Sequence, residues 1–504
     1  MKKIFKNLFF GIGGEVLIMA MGIILPRFIL VSFGSEINGI TATITQIFTY
    51  IALLEAGIGN ASLNCLYKNI ADADRGGICT TVSATRKYFR RLVPGYVFCV
   101  TLFLIVYPLV AETEVPAQTI RMIILIQGLT GVLNFFFTNT YIQLLIADGR
   151  SYITSNLMLM VKAVATALQI LLIGLGFDIV SVQLSLLVAN IIKAAIVYFY
   201  VRRVYPWLTK DPAADIKILA QRGALVVHEI SGVIFQSTDV FIISVFCSLK
   251  EASVYTIYNL VFSNFSRVST MLFQGIDFTL GAQYHSDLQK YTKLHDLYEM
   301  LLVCIVTTLL SAACMVILPF VRLYTAGVTD VNYIIPILPI LFSLIQILST
   351  GRTVASKLIT ISGGAKDTVA NAITETAINL VTSIVLVNLI GMPGVLLGTI
   401  AALLYRTNDI ILYANLKILK RKPWRAYKTM VVNLATFAVV TAVAYAFPMT
   451  ITNYLEFFVK GVQALGITAL VFVAVNYVTD TNMREFLLSV GKLIVQKISA
   501  LVKK

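Results

Sequence analysis

The sequence predicts an all-α polytopic membrane protein with about 14 transmembrane helices. Three observations lead there. Apolar segments of ~20 residues or more, long enough to cross a ~30 Å hydrocarbon core at 1.5 Å per residue, recur along the whole chain. The composition is 58% hydrophobic and 13% charged, against about 25% charged in ordinary soluble domains. Finally, thirty of the forty Lys and Arg residues fall into alternate gaps between the apolar segments.

The expected spans are 8–32, 37–62, 92–111, 120–147, 153–175, 179–201, 223–247, 252–280, 297–321, 332–359, 369–391, 393–416, 430–448 and 457–477. The first follows Lys2, Lys3 and Lys6 like a signal peptide. It is too long and lacks a small-residue cleavage site, so it reads as an uncleaved span. Cations then cluster at Lys68 to Arg91, Arg150, Arg202 to Arg222, Lys290 and Lys293, Lys357 and Lys366, Lys417 to Lys428, and Arg484 to Lys504. The opposite gaps hold only Arg121, Lys250, Arg322 and Lys460. The positive-inside rule therefore predicts cytoplasmic N- and C-termini. The net charge of +15 forms a layer at one membrane face, where anionic lipid rather than nucleic acid is the expected partner.

Two cytoplasmic connections are expected to be long, 63–91 and 202–222. The second contains Pro206 and Pro212 and reads as an inter-lobe linker. The domain reading is an N-terminal lobe at 1–203, a linker at 204–222, a C-terminal lobe at 223–418, two appended spans within 419–478 and a cytoplasmic tail at 479–504. The tail places apolar residues at helical spacing with Lys opposite, as an amphipathic surface helix does. LPRFILVSFGSEINGI around Arg27 echoes STDVFIISVFCSLKEASVY around Asp239, as a parallel six-span repeat would. The six cysteines show neither disulfide nor metal spacing.

No Walker A, GxGxxG, HExxH or GxSxG motif is present, and His228, His285 and His295 are dispersed, so neither an enzyme nor a metal site is expected. The short outer gaps leave no domain for a membrane glycosyltransferase or ligase. Ionisable residues inside spans are the informative ones, because each costs at least ~2.5–3.5 kcal/mol at the bilayer centre and faces a cavity or a partner. Among cations these are Arg27, Lys162, Lys193 and Arg267. Arg352 and Lys357 lie near a span end and can snorkel, and Arg406 has Asp409 one turn away as a self-neutralising partner. Among acids, Glu15, Glu229 and Asp239 lie deepest, as groups for proton or cation coupling or as charge partners of Arg27 and Arg267. Glu55, Asp277 and Glu375 lie near cytoplasmic ends and are expected to be solvated. Asn134, Asn139, Thr140 and Gln143, with Gln236, Ser237 and Thr238, supply polar groups for a wet cavity or for helix packing.

The run LPRFILVSFGSEINGITATITQIFTYIALLEAGIGNASLNCLYKNIADAD, with Leu-Glu-x-Gly-x-Gly at 54–59, resembles the N-terminal region of the polysaccharide-transporter, or Wzx-like, branch of the multidrug/oligosaccharidyl-lipid/polysaccharide flippase superfamily. STDVFIISVF followed by VYTIYNL resembles the start of that family's second lobe. The resemblance implies two six-helix lobes in pseudo-twofold arrangement, two appended helices, and alternating access. Its implied substrate is an oligosaccharide on undecaprenyl pyrophosphate, flipped to the outer leaflet of the bacterial cytoplasmic membrane for O-antigen, capsule or exopolysaccharide. Arg27 and Arg267, then Lys162 and Lys193, become the candidate phosphate contacts. No cofactor or metal is implied. The membrane potential, H+ or Na+ are possible drives, and anionic lipids and polysaccharide-assembly machinery are possible partners. A lipid II-type precursor flippase and a cation-coupled multidrug exporter stand as alternatives.

Overall fold

A computed structural model describes residues 2–55, 58–209, 214–216, 223–273 and 277–502, and their side chains except at 2–13, 15–16, 54, 58, 60, 136, 217–229, 236, 266–279, 282, 285, 365 and 493–502. Helices account for nearly all described residues, and ten are long and apolar enough to cross a membrane. Among the described residues Ala117–Leu133 and Ser237–Phe246 are shorter apolar helices. The helices follow the expected spans, and three differences have physical causes.

Spans 1 and 2 are the two halves of α1 (Lys2–Ile51), which breaks at Gly34, φ 84° and ψ 175°. That conformation suits a residue without Cβ. The Asp330 carboxylate accepts from the Ser35 backbone N–H (3.0 Å) and hydroxyl (2.6 Å), so a side chain 295 residues away caps the restarted helix. The second is that the long connection at 63–91 is helical on both sides of a short turn. The chain runs through α2 (Ile58–Ala71) and turns at 72–74, where Asp74 caps α3 (Arg75–Val110) by accepting from Gly77 N–H. Helix α3 then continues unbroken into the third span, so Arg86, Lys87, Arg90 and Arg91 ride on helix. Third, α12 (Ile337–Gly351) and α13 (Thr353–Ile361) divide span 10 at Arg352.

The chain separates into two compact units, 1–256 with 327–331, and 257–326 with 332–504. In the first, α1 packs on α6 (Ser151–Gly174) and α8 (Gly223–Phe246). Helix α7 (Ile179–Val204) packs on α6 and on α4 (Ala117–Leu133), and α5 (Asn139–Ala147) follows α4 across a π-helical turn at Asn134–Thr138. One end of this unit gathers Gly34, Glu36, Pro116, Asp178, Lys250 and Asp330 around a pocket of about 500 Å³. The other gathers Arg75 against Trp207, Lys87 on the Ala214 carbonyl, and Arg150 with Asp148 and Tyr200. The alternate gaps read from sequence thus lie at opposite ends. Residues 210–213 and 217–222 of the expected linker lie outside the described residues.

In the second unit α11 (Leu288–Tyr324) is the hub. Across its apolar part it is buried on opposite sides, with Leu302, Val306, Leu310 and Ile317 on one face and Cys304 and Ala312 on the other, so it suits a central position. Around it pack α10 (Asp277–Ser286), α12, α16 (Trp424–Ala446), α17 (Tyr454–Thr479) and α18 (Thr481–Val502), the last being the helix expected in the tail. Buried amides tie three of them together: Asn433 and Asn476 exchange hydrogen bonds of 3.2 and 3.0 Å, and Thr307 donates to Asn433 at 3.4 Å. In the hairpin of α14 (Val369–Ile390) and α15 (Met392–Leu412), Gly394 and Gly398 let the backbones close. A Cβ at Gly394 would sit 2.3 Å from the Leu386 carbonyl oxygen, and one at Gly398 would sit 2.6 Å from Ser383 N.

Candidate substrate-binding site

The second half of α1 carries Asn38, Thr41, Thr45 and Thr49 at spacings of three and four, hence on one face. The threonine hydroxyls turn back to carbonyls one turn earlier, Thr41 to Ile37 (2.8 Å), Thr45 to Thr41 (2.8 Å) and Thr49 to Thr45 (3.1 Å). Their oxygens keep acceptor capacity, and Thr45 takes a bond from Gln127 of α4 at 3.3 Å.

The stripe continues across neighbouring helices of the same unit. Asn38 donates to Ser253 (2.7 Å) on α9 (Leu249–Phe273), and Tyr50 donates to Thr238 (2.7 Å) on α8. Tyr255 donates to Asp239 (3.0 Å), while Asn139 donates to Glu55 at 2.6 Å. Thr45 and Thr49 are exposed. Hydroxyls and amides exposed within a span gain nothing from hydrocarbon and suit a wet cleft, with many weak donors and acceptors for a polyhydroxylated ligand.

The predicted residues with described side chains lie on four helices of the first unit, α1, α6, α7 and α8. Arg27 is half-buried on α1, and Lys162 is exposed on α6. Lys193 on α7 lines a separate apolar groove of about 270 Å³ with Tyr152, Asn156, Met158, Met160 and Tyr200. Asp239 is buried beneath the Tyr255 hydroxyl. The side chains of Glu15, Glu229 and Arg267 lie outside the described residues.

The second unit corrects two expectations and holds a network that no single-helix spacing could reveal. Glu375 is not solvated: it is 7% exposed and accepts from Arg352 at 2.5 Å, with the Arg406 Nε 3.5 Å away. Arg406 also pairs with Asp409, as its spacing indicates, and Asn371 donates to Asp409 at 2.6 Å. Two guanidiniums and two carboxylates thus neutralise one another across α12, α14 and α15, and Arg352 is a partner within the protein rather than a snorkelling cation. A second cluster joins Asp296 of α11 to Arg421 and Arg425.

No family model matches the sequence, and no curated protein matches it. Solved structures do. The fold is similar to that of the lipid II flippase MurJ in an inward closed conformation, at 14% identity over 93% of this chain and 98% of that one, with a TM-score of 0.65. It is also similar to an inward-facing multidrug resistance MATE family transporter of the MOP superfamily (14% identity, 84% and 95% covered, TM-score 0.59). A mutant of the Vibrio cholerae MATE transporter VcmN is a third such structure (12% identity, 84% and 98% covered, TM-score 0.57). The chain is therefore a multi-pass membrane protein with the fold of the MOP superfamily transporters.

Proposed function

We propose that the chain is a flippase that moves an undecaprenyl-pyrophosphate-linked oligosaccharide from the cytoplasmic to the outer leaflet by alternating access, serving assembly of a bacterial surface polysaccharide such as O-antigen, capsule or exopolysaccharide. The observation that carries this reading is the hydroxyl- and amide-rich stripe from Asn38 to Glu55 and across to Gln127, Thr238 and Ser253. A sugar headgroup exchanges its water for such groups at little cost, whereas an apolar drug does not. The in-span cations Arg27, Lys162, Lys193 and Arg267 supply the charge that a pyrophosphate requires while its prenyl tail stays in lipid. In this reading the basic end of the chain and both termini face the cytoplasm and its anionic lipids.

A lipid II-type precursor is the second reading. It is favoured by the more complete match to the lipid II flippase, 93% of this chain against 84% for the MATE transporters. In both readings the protein is a transporter and performs no covalent chemistry. Purified protein in proteoliposomes, offered a fluorescent lipid-linked oligosaccharide, lipid II or a cationic dye, separates them. Movement of the first alone is expected, movement of lipid II alone selects the second reading, and movement of the dye alone refutes both.

A further inference from the structure

The first turns of α11 bury a polar cluster that the proposed substrate site does not use. His295 is 0% exposed, and neither ring nitrogen makes a hydrogen bond, although Nδ1 lies 3.5 Å from Asp296 Oδ1. Glu299, one turn on and 4% exposed, has an unpartnered Oε1. The Tyr291 hydroxyl and Gln283 Oε1 of α10 are likewise buried without partners, and Tyr291 stacks edge-on with Tyr284 at 5.3 Å. Buried polar atoms are almost always paired, so lone pairs left over at one place call for an occupant.

One nitrogen of His295 and one oxygen each of Asp296 and Glu299 lie within 4.8 Å of one another, close enough for a metal triad. Hydrogen bonding argues against it. Asp296 Oδ1 accepts from Arg421 at 2.5 Å, and Oδ2 accepts from Arg421 at 2.8 Å and Arg425 at 3.0 Å, so only two ligands stay open. Charge argues the same way. The charged groups around Glu299 are His295 and Asp296 on its own helix, Arg421 before α16 and Arg425 on α16. With Glu299 ionised and His295 neutral this group sums to zero, and a divalent cation would add two positive charges to a buried neutral set. A proton adds one and finds the open lone pairs of Glu299 Oε1 and His295 waiting.

We propose that His295 and Glu299 are a proton-binding site of the transport cycle, a deepening that rests on the flippase reading. Each state has one defect. Ionised Glu299 leaves a buried lone pair unpaired, and protonated Glu299 leaves the two guanidiniums in excess over Asp296. Arg425 is the exposed member and also bonds Thr481 and Asn482 of α18, so the charged cluster extends from the buried pair to the protein surface.

The test uses full-length protein in proteoliposomes and measures flipping of the lipid-linked oligosaccharide under an imposed potential and, separately, under a pH difference. If one proton moves per cycle, one pH unit shifts the transbilayer distribution about tenfold. The expected result is that Glu299→Gln and His295→Asn lose this shift yet keep potential-driven flipping. A shift retained in both variants overturns the proposal. A wild type that flips nothing refutes the flippase reading instead. A readout independent of transport is the infrared carbonyl band of a protonated carboxyl group, expected to titrate in wild type and to be absent in Glu299→Gln. Zinc that binds wild type saturably and fails to bind Glu299→Gln would overturn the proton site in favour of a metal.

Discussion

Glu375→Gln removes the shared acid of the α12–α14–α15 network while keeping its size and one acceptor oxygen. In wild type the network is neutral: Arg352 and Arg406 face Glu375 and Asp409. The variant leaves a net positive charge beside Arg406, whose side chain is 6% exposed, and strips Arg352 of a 2.5 Å charged acceptor. Breaking a buried pair from one side costs ~3–5 kcal/mol. Arg406 keeps Asp409 and Arg352 reaches some solvent, so the low end, about 3 kcal/mol, is expected. Thermal unfolding of purified protein, followed by size-exclusion fluorescence, should show a clear loss of stability. Removing both charges in Arg352→Gln/Glu375→Gln restores neutrality, so the double variant should be more stable than the sum of the single losses, by ~0.5–3 kcal/mol for directly contacting groups. A Glu375→Gln protein that melts with wild type, or a double variant at or below additivity, would refute the reasoning.

Gly394→Ala and Gly398→Ala place a methyl group against the Leu386 carbonyl and the Ser383 backbone, so each should cost ~1–3 kcal/mol or more, and a wild-type melting temperature would show that the hairpin packs differently. Asp330→Ala removes the cap from Ser35 and should cost ~0.5–2 kcal/mol, with Asp330→Asn recovering part of it; equal loss in both would indicate that capping is not the cause.

How much of this was legible in the sequence follows from the range of each interaction. Span positions depend on runs of apolar residues, so α6, α7, α14 and α17 begin and end within a few residues of expectation. The Arg406–Asp409 pair is one turn long and visible in the spacing. Glu375 with Arg352, Asp296 with Arg421, and Ser35 with Asp330 are 23, 125 and 295 residues apart, and nothing in a hydropathy pattern connects them. The cations of 63–91 mark it as a connection between spans, whereas the burial of Ile78, Val82, Ala84 and Phe89 depends on packing partners that no spacing shows. At the candidate site, individual charges such as Arg27 and Asp239 were legible. The hydroxyl stripe on α1 was not, since Thr41, Thr45 and Thr49 count as ordinary helix packing until their exposure is known.

The most direct test of the flippase account is transbilayer movement of a fluorescent undecaprenyl-pyrophosphate oligosaccharide in proteoliposomes under an imposed inside-negative potential, comparing wild type with Arg27→Ala and Arg267→Ala. Outward movement of negative charge is favoured by ~2.3 kcal/mol per charge per 100 mV. The account predicts potential-stimulated flipping by wild type and its loss in both variants. Flipping that survives both substitutions would contradict a cationic pyrophosphate site, and a wild type that leaves the lipid in place would contradict the account as a whole.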